Sequence, residues 1–426
     1  MKEKIFAVRK SGINIIKHPL FGGSAVMIFG SNFANFFAYL YHLVLGRMLG
    51  PSSYSELAAT LAALGLFSTM FVFFGLVVVK FAASTKESEK EAFFKWLLGK
   101  SFLVGGTGIL LLTLISPFIS EFLNLPLKIS LLIGPTLYLL LYSILFRSFL
   151  QGLLKFGKSV SLTVIDISSR LIFGVLFVSL GFSSFGGVLG ITIGGLLSLL
   201  VGYYYLRGFF KIKIKRGFDR GNQVLIYSVP IMIASIANNS FISSDVILTK
   251  HYFDSHLAGI YASLSVLGKI IFYAAAPVTA VMFPMISKKY SEGKNYQKIL
   301  ALSVLLTTLL VGFILLTYLL IPDIMIKILF GVGYLEASSY LVWFGLFMAF
   351  YTLANLFISF YLSIEKTKIV IFPAFFASVQ ILGIIIYHNS LLSVIHISTL
   401  VSALLLGSLI IYFFYGKREG KNTKSI

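Results

Sequence analysis

Apolar residues run along this chain in long unbroken stretches, separated by short clusters of charge, proline and small polar residues. Twelve such stretches lie near 21–45, 57–79, 96–119, 129–150, 161–180, 188–206, 223–248, 258–284, 299–321, 338–362, 369–388 and 393–415. About 20 residues of helix cross the ~30 Å of hydrocarbon in a bilayer, so each stretch predicts one membrane span. None alternates with a period of two, which argues against a β-barrel. The pattern therefore predicts an all-α polytopic membrane protein.

Composition sharpens this. The 426 residues are 58% hydrophobic and 12% charged, with a mean hydropathy of +0.94, whereas a soluble domain carries about 25% charge. That polar surface is too small for a soluble enzyme, a disordered chain or a nucleic-acid module. The absence of cysteine excludes disulfides and thiolate metal sites. Residues 1–20 hold five Lys/Arg among Ile5, Val8, Ile13 and Ile16. No small-residue cleavage site follows the first span, so this segment reads as an interfacial helix and not a removable signal peptide.

The formal charge of +20 is explained by where it sits. The inter-span segments on one side, with both termini, carry 28 Lys/Arg, and the opposite loops carry only Arg47, Lys128, Lys250 and Lys327. Positively charged loops stay inside. The split predicts a multi-pass protein of the cell membrane with both termini cytoplasmic, facing membrane lipids and not nucleic acid.

The basic loop 207–222 divides the chain into a six-span half at 1–206 and a second at 223–415, followed by a tail at 416–426. The halves echo one another. LVLGRMLGPSSYSELA (43–58) corresponds to VILTKHYFDSHLAGIYA (246–262), which sets Arg47 opposite Lys250 as residues of an outer loop or gate. GLVVVKFAASTKESEK (75–90) corresponds to PVTAVMFPMISKKYSEG (277–293). Repeats of this kind enclose a substrate site near the membrane midplane and rock about it.

One motif is deceptive. Gly152-Leu-Leu-Lys-Phe-Gly-Lys-Ser159 matches the phosphate-loop pattern, but that chemistry needs a preceding buried strand and a following helix in a nucleotide-binding sheet. Here the neighbours are spans 4 and 5, so the motif reads as a basic turn. In span 6, Gly186, Gly190, Gly194, Ser198 and Gly202 recur every four residues, a stripe for close helix packing.

Charges within spans cost about 2.5–3.5 kcal/mol each at the bilayer centre and need a partner or a task. Asp166 and Arg170 are four apart on one face of span 5, either a self-neutralising pair or an arginine aimed at phosphate and held by its aspartate. Lys269 in span 8 has no acid three or four residues away and reads as a substrate contact. Asn32, Asn35, Tyr39 and His42 share a face of span 1, suited to sugar hydroxyls or to interhelical bonding. In span 7, Asn238 and Asp245 align. Asp245 is a candidate for a coupling Na+ or H+, or the partner of Lys250. Asn355 and Gln380 are isolated amides and read as structural.

GSNFANFFAYLYHLVLGRMLGPSSYSELAA at the first span, QGLLKFGKS after span 4 and APVTAVMFPMIS in span 8 resemble the polysaccharide (O-antigen type) lipid-oligosaccharide flippases. These belong to the multidrug/oligosaccharidyl-lipid/polysaccharide exporter (MOP) superfamily. The resemblance implies two six-helix bundles around a V-shaped cavity and alternating-access export of polyprenyl-diphosphate-linked sugar, with a basic residue at the position of Lys269. It also implies glycan polymerases or glycosyltransferases as partners and no enzymatic activity or cofactor beyond a coupling ion. Peptidoglycan-precursor flippases carry arginines in spans 1 and 2, which this chain lacks. The alternatives are an ion-coupled multidrug exporter of the same superfamily and a membrane-embedded glycan polymerase or ligase.

Overall fold

The computed structural model describes residues 19–211, 218 and 220–422, without the side chains of 19–25, 28, 211, 227, 229–234, 237–238 and 415–422. The interfacial helix expected at 1–20 and much of the 207–222 linker thus lie outside the described residues. Fourteen α-helices occupy the rest, and no strand occurs among the described residues. The first, α1 (Pro19–Ser84), is too long for one crossing. Gly50 breaks it with φ 67° and ψ 172°, a conformation glycine adopts freely. Pro51 then opens the second segment, where its fixed φ suits a helix start. The loop expected between spans 1 and 2 is therefore a turn of a few residues.

The chain continues through α2 (Lys90–Leu114), the short α3 (Ser116–Phe122), α4 (Leu127–Gly152), α5 (Phe156–Phe177) and α6 (Ser183–Lys211). Gly181, at φ 89°, and Ser183, at φ 51°, separate α5 from α6. The second half comprises α7 (Gly221–Ser240), α8 (Ser244–Tyr252), α9 (Ser255–Ser291), α10 (Gln297–Leu320), the short α11 (Pro322–Leu329), α12 (Ser338–Ser363), α13 (Ile371–Ile386) and α14 (Leu391–Asn422). Nine helical stretches among the described residues are long and apolar enough to cross a membrane, two of them (Phe29–Ser84 and Phe156–Phe210) of double length. With the 20-residue α7 the crossings reach the twelve expected. The order also repeats: a broken helix pair, a span, a short helix opened by proline (Pro117 in α3, Pro322 in α11) and three further spans.

Packing divides the chain into two units whose limits differ from the sequence halves. One takes residues through Met48 with Leu64–Ser235, the other Leu49–Ala63 with everything from Ile236. In the first, Phe93, Phe94, Phe146 and Phe149 build an aromatic core at the base of α2 and α4, joined by Val224 of α7. In the second, the turn after Gly50 is seated among later helices. Gly259 lies so close to the Pro51 backbone that no Cβ fits there. Tyr54 is buried beside Phe330 and Tyr334, at 5.8 and 6.2 Å between ring centroids.

Candidate functional site

In the first unit the chemistry gathers where α4, α5 and α6 meet. The small residues of α6 let α5 approach closely. A Cβ on Gly190 would stand 2.5 Å from the Gly174 nitrogen, and one on Gly194 2.5 Å from the Asp166 carbonyl oxygen. Against this surface Arg170 donates from Nε and Nη2 to the two carboxylate oxygens of Asp166, at 2.8 and 2.7 Å. Asp166 is buried, while the Arg170 side chain keeps 22% exposure. Charge-assisted bidentate pairing of this kind fixes the guanidinium plane. A residue that sequence patterning did not single out joins the pair: Arg147 lies within α4, half-buried, and donates to the Thr163 hydroxyl at 3.0 Å. Arg147 interacts electrostatically with both Asp166 and Arg170. The cluster thus sets two guanidinium groups against one carboxylate.

In the second unit, α7 and α8 are interrupted at 241–243, and Asp245 sits in the first turn of α8. Asp245 is buried and accepts from the Tyr261 hydroxyl at 2.9 Å through Oδ2, with the backbone N–H groups of Val246 and of Asp245 itself beside the carboxylate, while its Oδ1 has no side-chain hydrogen-bond partner among the described residues. Tyr261 also bonds Ser398. Ser398 accepts from Gln380 Nε2 at 3.0 Å, and the same nitrogen reaches the Phe241 carbonyl at 3.4 Å. Gln380 Oε1 and Thr249 Oγ1 are likewise buried without partners among the described residues. Half-buried Lys269 has Asp245 as its electrostatic partner. The acid missing from its own helix is therefore supplied by a neighbouring one. Lys250 donates instead to the hydroxyls of Ser55 and Ser255, at 3.0 and 2.7 Å, with Glu56 and Asp254 as its nearby carboxylates. Asp245, for which spacing offered Lys250 as one possible partner, interacts with Tyr261 and Lys269.

The other sequence candidates fall as follows. Ala34, Tyr41 and Leu45 pack inward and Tyr41 donates to the Gly187 carbonyl at 2.8 Å, so exposed Asn32 and Asn35 lie on the opposite face of α1. The Tyr39 hydroxyl is buried without a partner among the described residues. Arg47 is exposed. The side chain of Asn238 lies outside the described residues. The phosphate-loop look-alike is a turn from α4 into α5. A Cβ on Gly152 would strike Ala82 and the Val79 backbone, and Ser159 bonds the Arg147 carbonyl; it forms no phosphate cradle.

A cavity of about 230 Å³ lies between α9 and α12, lined by Phe272, Ala275, Ala276, Thr279, Ala280, Thr352 and Asn355. The amide read as structural, Asn355, therefore borders open space.

The described residues thus have the make-up of a multi-pass helical membrane protein with charge clusters inside its spans. A family model for polysaccharide biosynthesis proteins matches residues 21–290, more than half of the sequence, and the chain belongs to that family. It is 27% identical over 270 residues to an uncharacterized membrane protein of Methanocaldococcus jannaschii, covering 59% of this chain and 64% of that protein. Its fold is similar to that of the lipid II flippase MurJ in an inward closed conformation, with a TM-score of 0.74 at 17% identity over 91% of this chain and 87% of that one. It is also similar to an inward-facing multidrug resistance MATE family transporter of the MOP superfamily, at 0.73 and 11% identity over 91% and 96%. A third is a MOP superfamily transporter from Pyrococcus furiosus, at 0.61 and 15% identity over 93% and 94%. The family model gives the chain's family, and the solved structures show a fold shared with a lipid II flippase and with multidrug transporters.

Proposed function

We propose that the chain is a flippase that carries polyprenyl-diphosphate-linked oligosaccharide from the cytoplasmic to the outer leaflet by alternating access, supplying cell-surface polysaccharide synthesis. The observation that carries this reading is the Arg147–Asp166–Arg170 cluster. A surplus guanidinium inside a span is costly to insert, and its planar fork of donors suits a diphosphate. Lys269 adds a second cation in the other unit. Asn32, Asn35 and Tyr39 suit sugar hydroxyls, which need both donors and acceptors. Asn238, on the turn of α7 before the break, belongs to the same set.

A coupling ion fits the second unit. Asp245 Oδ1, Gln380 Oε1 and Thr249 Oγ1 are buried oxygens that lack side-chain donors among the described residues, and hard cations such as Na+ take oxygen ligands while a proton would neutralise Asp245. Either would release Lys269 from its electrostatic partner and free it for the phosphates. On this reading the chain performs no covalent chemistry. It resides in the cell membrane with both termini cytoplasmic, Arg47 and Lys250 lie at its outer face, and glycan polymerases or glycosyltransferases work beside it.

The test is genetic. Arg147→Gln, Arg170→Ala and Lys269→Ala, each expressed at the parental level, should abolish surface glycan and accumulate the lipid-linked precursor in the host. Normal glycan in all three would refute the assignment. An ion-coupled drug exporter of the same fold would instead leave glycan untouched and alter efflux.

A further inference from the structure

The cavity between α9 and α12 combines two features that seldom coincide. Its floor is apolar, made of Ala275, Ala276, Ala280 and the Phe272 ring, yet Thr279, Thr352 and Asn355 also border it. Thr352 donates to the Met348 carbonyl. The side chains of Asn355 and Thr279 have no hydrogen-bond partner among the described residues. Both side chains are half-exposed to the open space, so their donors and acceptors stay available to an occupant that meets them.

The occupant's chemistry follows from the wall. A pyranose ring presents C–H faces, which rest on alanine and aromatic surfaces, and a rim of hydroxyls that donate and accept. An isoprenyl chain would use the floor and leave the amide stranded. A cationic drug would find no carboxylate in the lining. A volume near 230 Å³ falls below the roughly 300–1,000 Å³ of drug-sized sites, which limits the guest to about one ring. Lys269, Phe272, Ala276 and Ala280 recur at helical spacing on one face of α9. Lys269 lies about 10 Å along the axis from Ala276.

We infer that this cavity seats a single sugar ring of the lipid-linked glycan, with Phe272 and the alanines under its C–H face and Asn355 and Thr279 bonding its hydroxyls, while Lys269 faces the diphosphate. The assignment rests on the flippase reading and names the part of the headgroup recognised. It also gives the guest a route to the ion site. Phe272 stacks on Tyr351 at 5.7 Å, and Tyr351 stacks on Phe241 at 5.1 Å. Phe241 lies at the α7–α8 break, where its carbonyl accepts from Gln380 in the Asp245 network.

Binding of two probes to the purified full-length protein in lipid nanodiscs separates the possibilities: bare polyprenyl diphosphate, and the same lipid bearing one hexose or N-acetylhexosamine. The parent should bind a glycosylated lipid about fivefold more tightly than the bare one, the worth of one or two neutral hydrogen bonds. Asn355→Leu and the cavity-filling Ala276→Phe should erase that preference and leave the bare lipid's affinity within about twofold. Lys269→Ala should weaken both lipids alike. The inference is overturned by a parent with no preference or by a preference that survives both cavity variants. Equal loss of both lipids in those variants would also overturn it, since that marks an isoprenyl site. Binding of neither lipid by the parent overturns the flippase reading and this inference with it.

Discussion

Replacing Asp166 by Asn is the sharpest probe of the charge cluster. The substitution keeps the volume but removes the one carboxylate that accepts both Arg170 bonds, at 2.8 and 2.7 Å, and that attracts Arg147. Two guanidinium groups then face each other without an anion. Breaking a buried ion pair by removing one partner costs about 3–5 kcal/mol. The 22% exposure of Arg170 admits some screening, which places the expected loss near the lower bound, about 3 kcal/mol. The readout is the apparent Tm of purified protein in a fixed detergent, with a fall on the order of 5 °C or more expected. Adding Arg170→Gln to Asp166→Asn should restore stability by at least ~1 kcal/mol, because neighbours in one network are coupled. A single variant within ~0.5 kcal/mol of the parent, or strict additivity in the double variant, would refute the reasoning.

Two further outcomes follow from the second unit. If Asp245 and Gln380 hold a coupling ion, exchanging choline for Na+, or lowering the pH if the ion is a proton, should raise the parent's apparent Tm by mass action; Asp245→Asn should abolish the response, and a parent indifferent to both ions would exclude coupling there. Burial pushes the Lys250 ammonium below the ordinary lysine range, with Glu56 and Asp254 opposing it. The unfolded chain then binds more protons between that lowered value and ~10.4, so stability should rise with pH across this window; denaturation at stepped pH should show the slope vanish in Lys250→Met, and an unchanged slope would contradict the assignment.

The architecture was largely legible because a span announces itself through one property, a run of about 20 apolar residues, that needs no knowledge of neighbours. Asp166 and Arg170 were legible for a similar reason: four-residue spacing places them together on any helix. Lys269 and Asp245 were not, since they are 24 positions apart on different helices and only tertiary packing joins them. Arg147, close to the cytoplasmic end of span 4, carries no sequence mark that separates it from the basic residues of the following turn; only the packing of α4 against α5 brings it to Asp166. Asn355 stood alone in its own helix. The space beside it comes from three alanines on α9, which no pattern within α12 reveals. The turn at Gly50 and Pro51 was within reach of the sequence, as a glycine–proline step punctuates helices.

That turn has a consequence for biosynthesis. Pro51 finds its seat against Gly259, some 200 residues further along the chain. At about 5–20 residues per second the ribosome takes roughly 10–40 s to deliver that seat. Through that interval the tip of the first hairpin lacks the surface that covers it in the folded protein, so the hairpin reaches its final packing only after the later helices emerge.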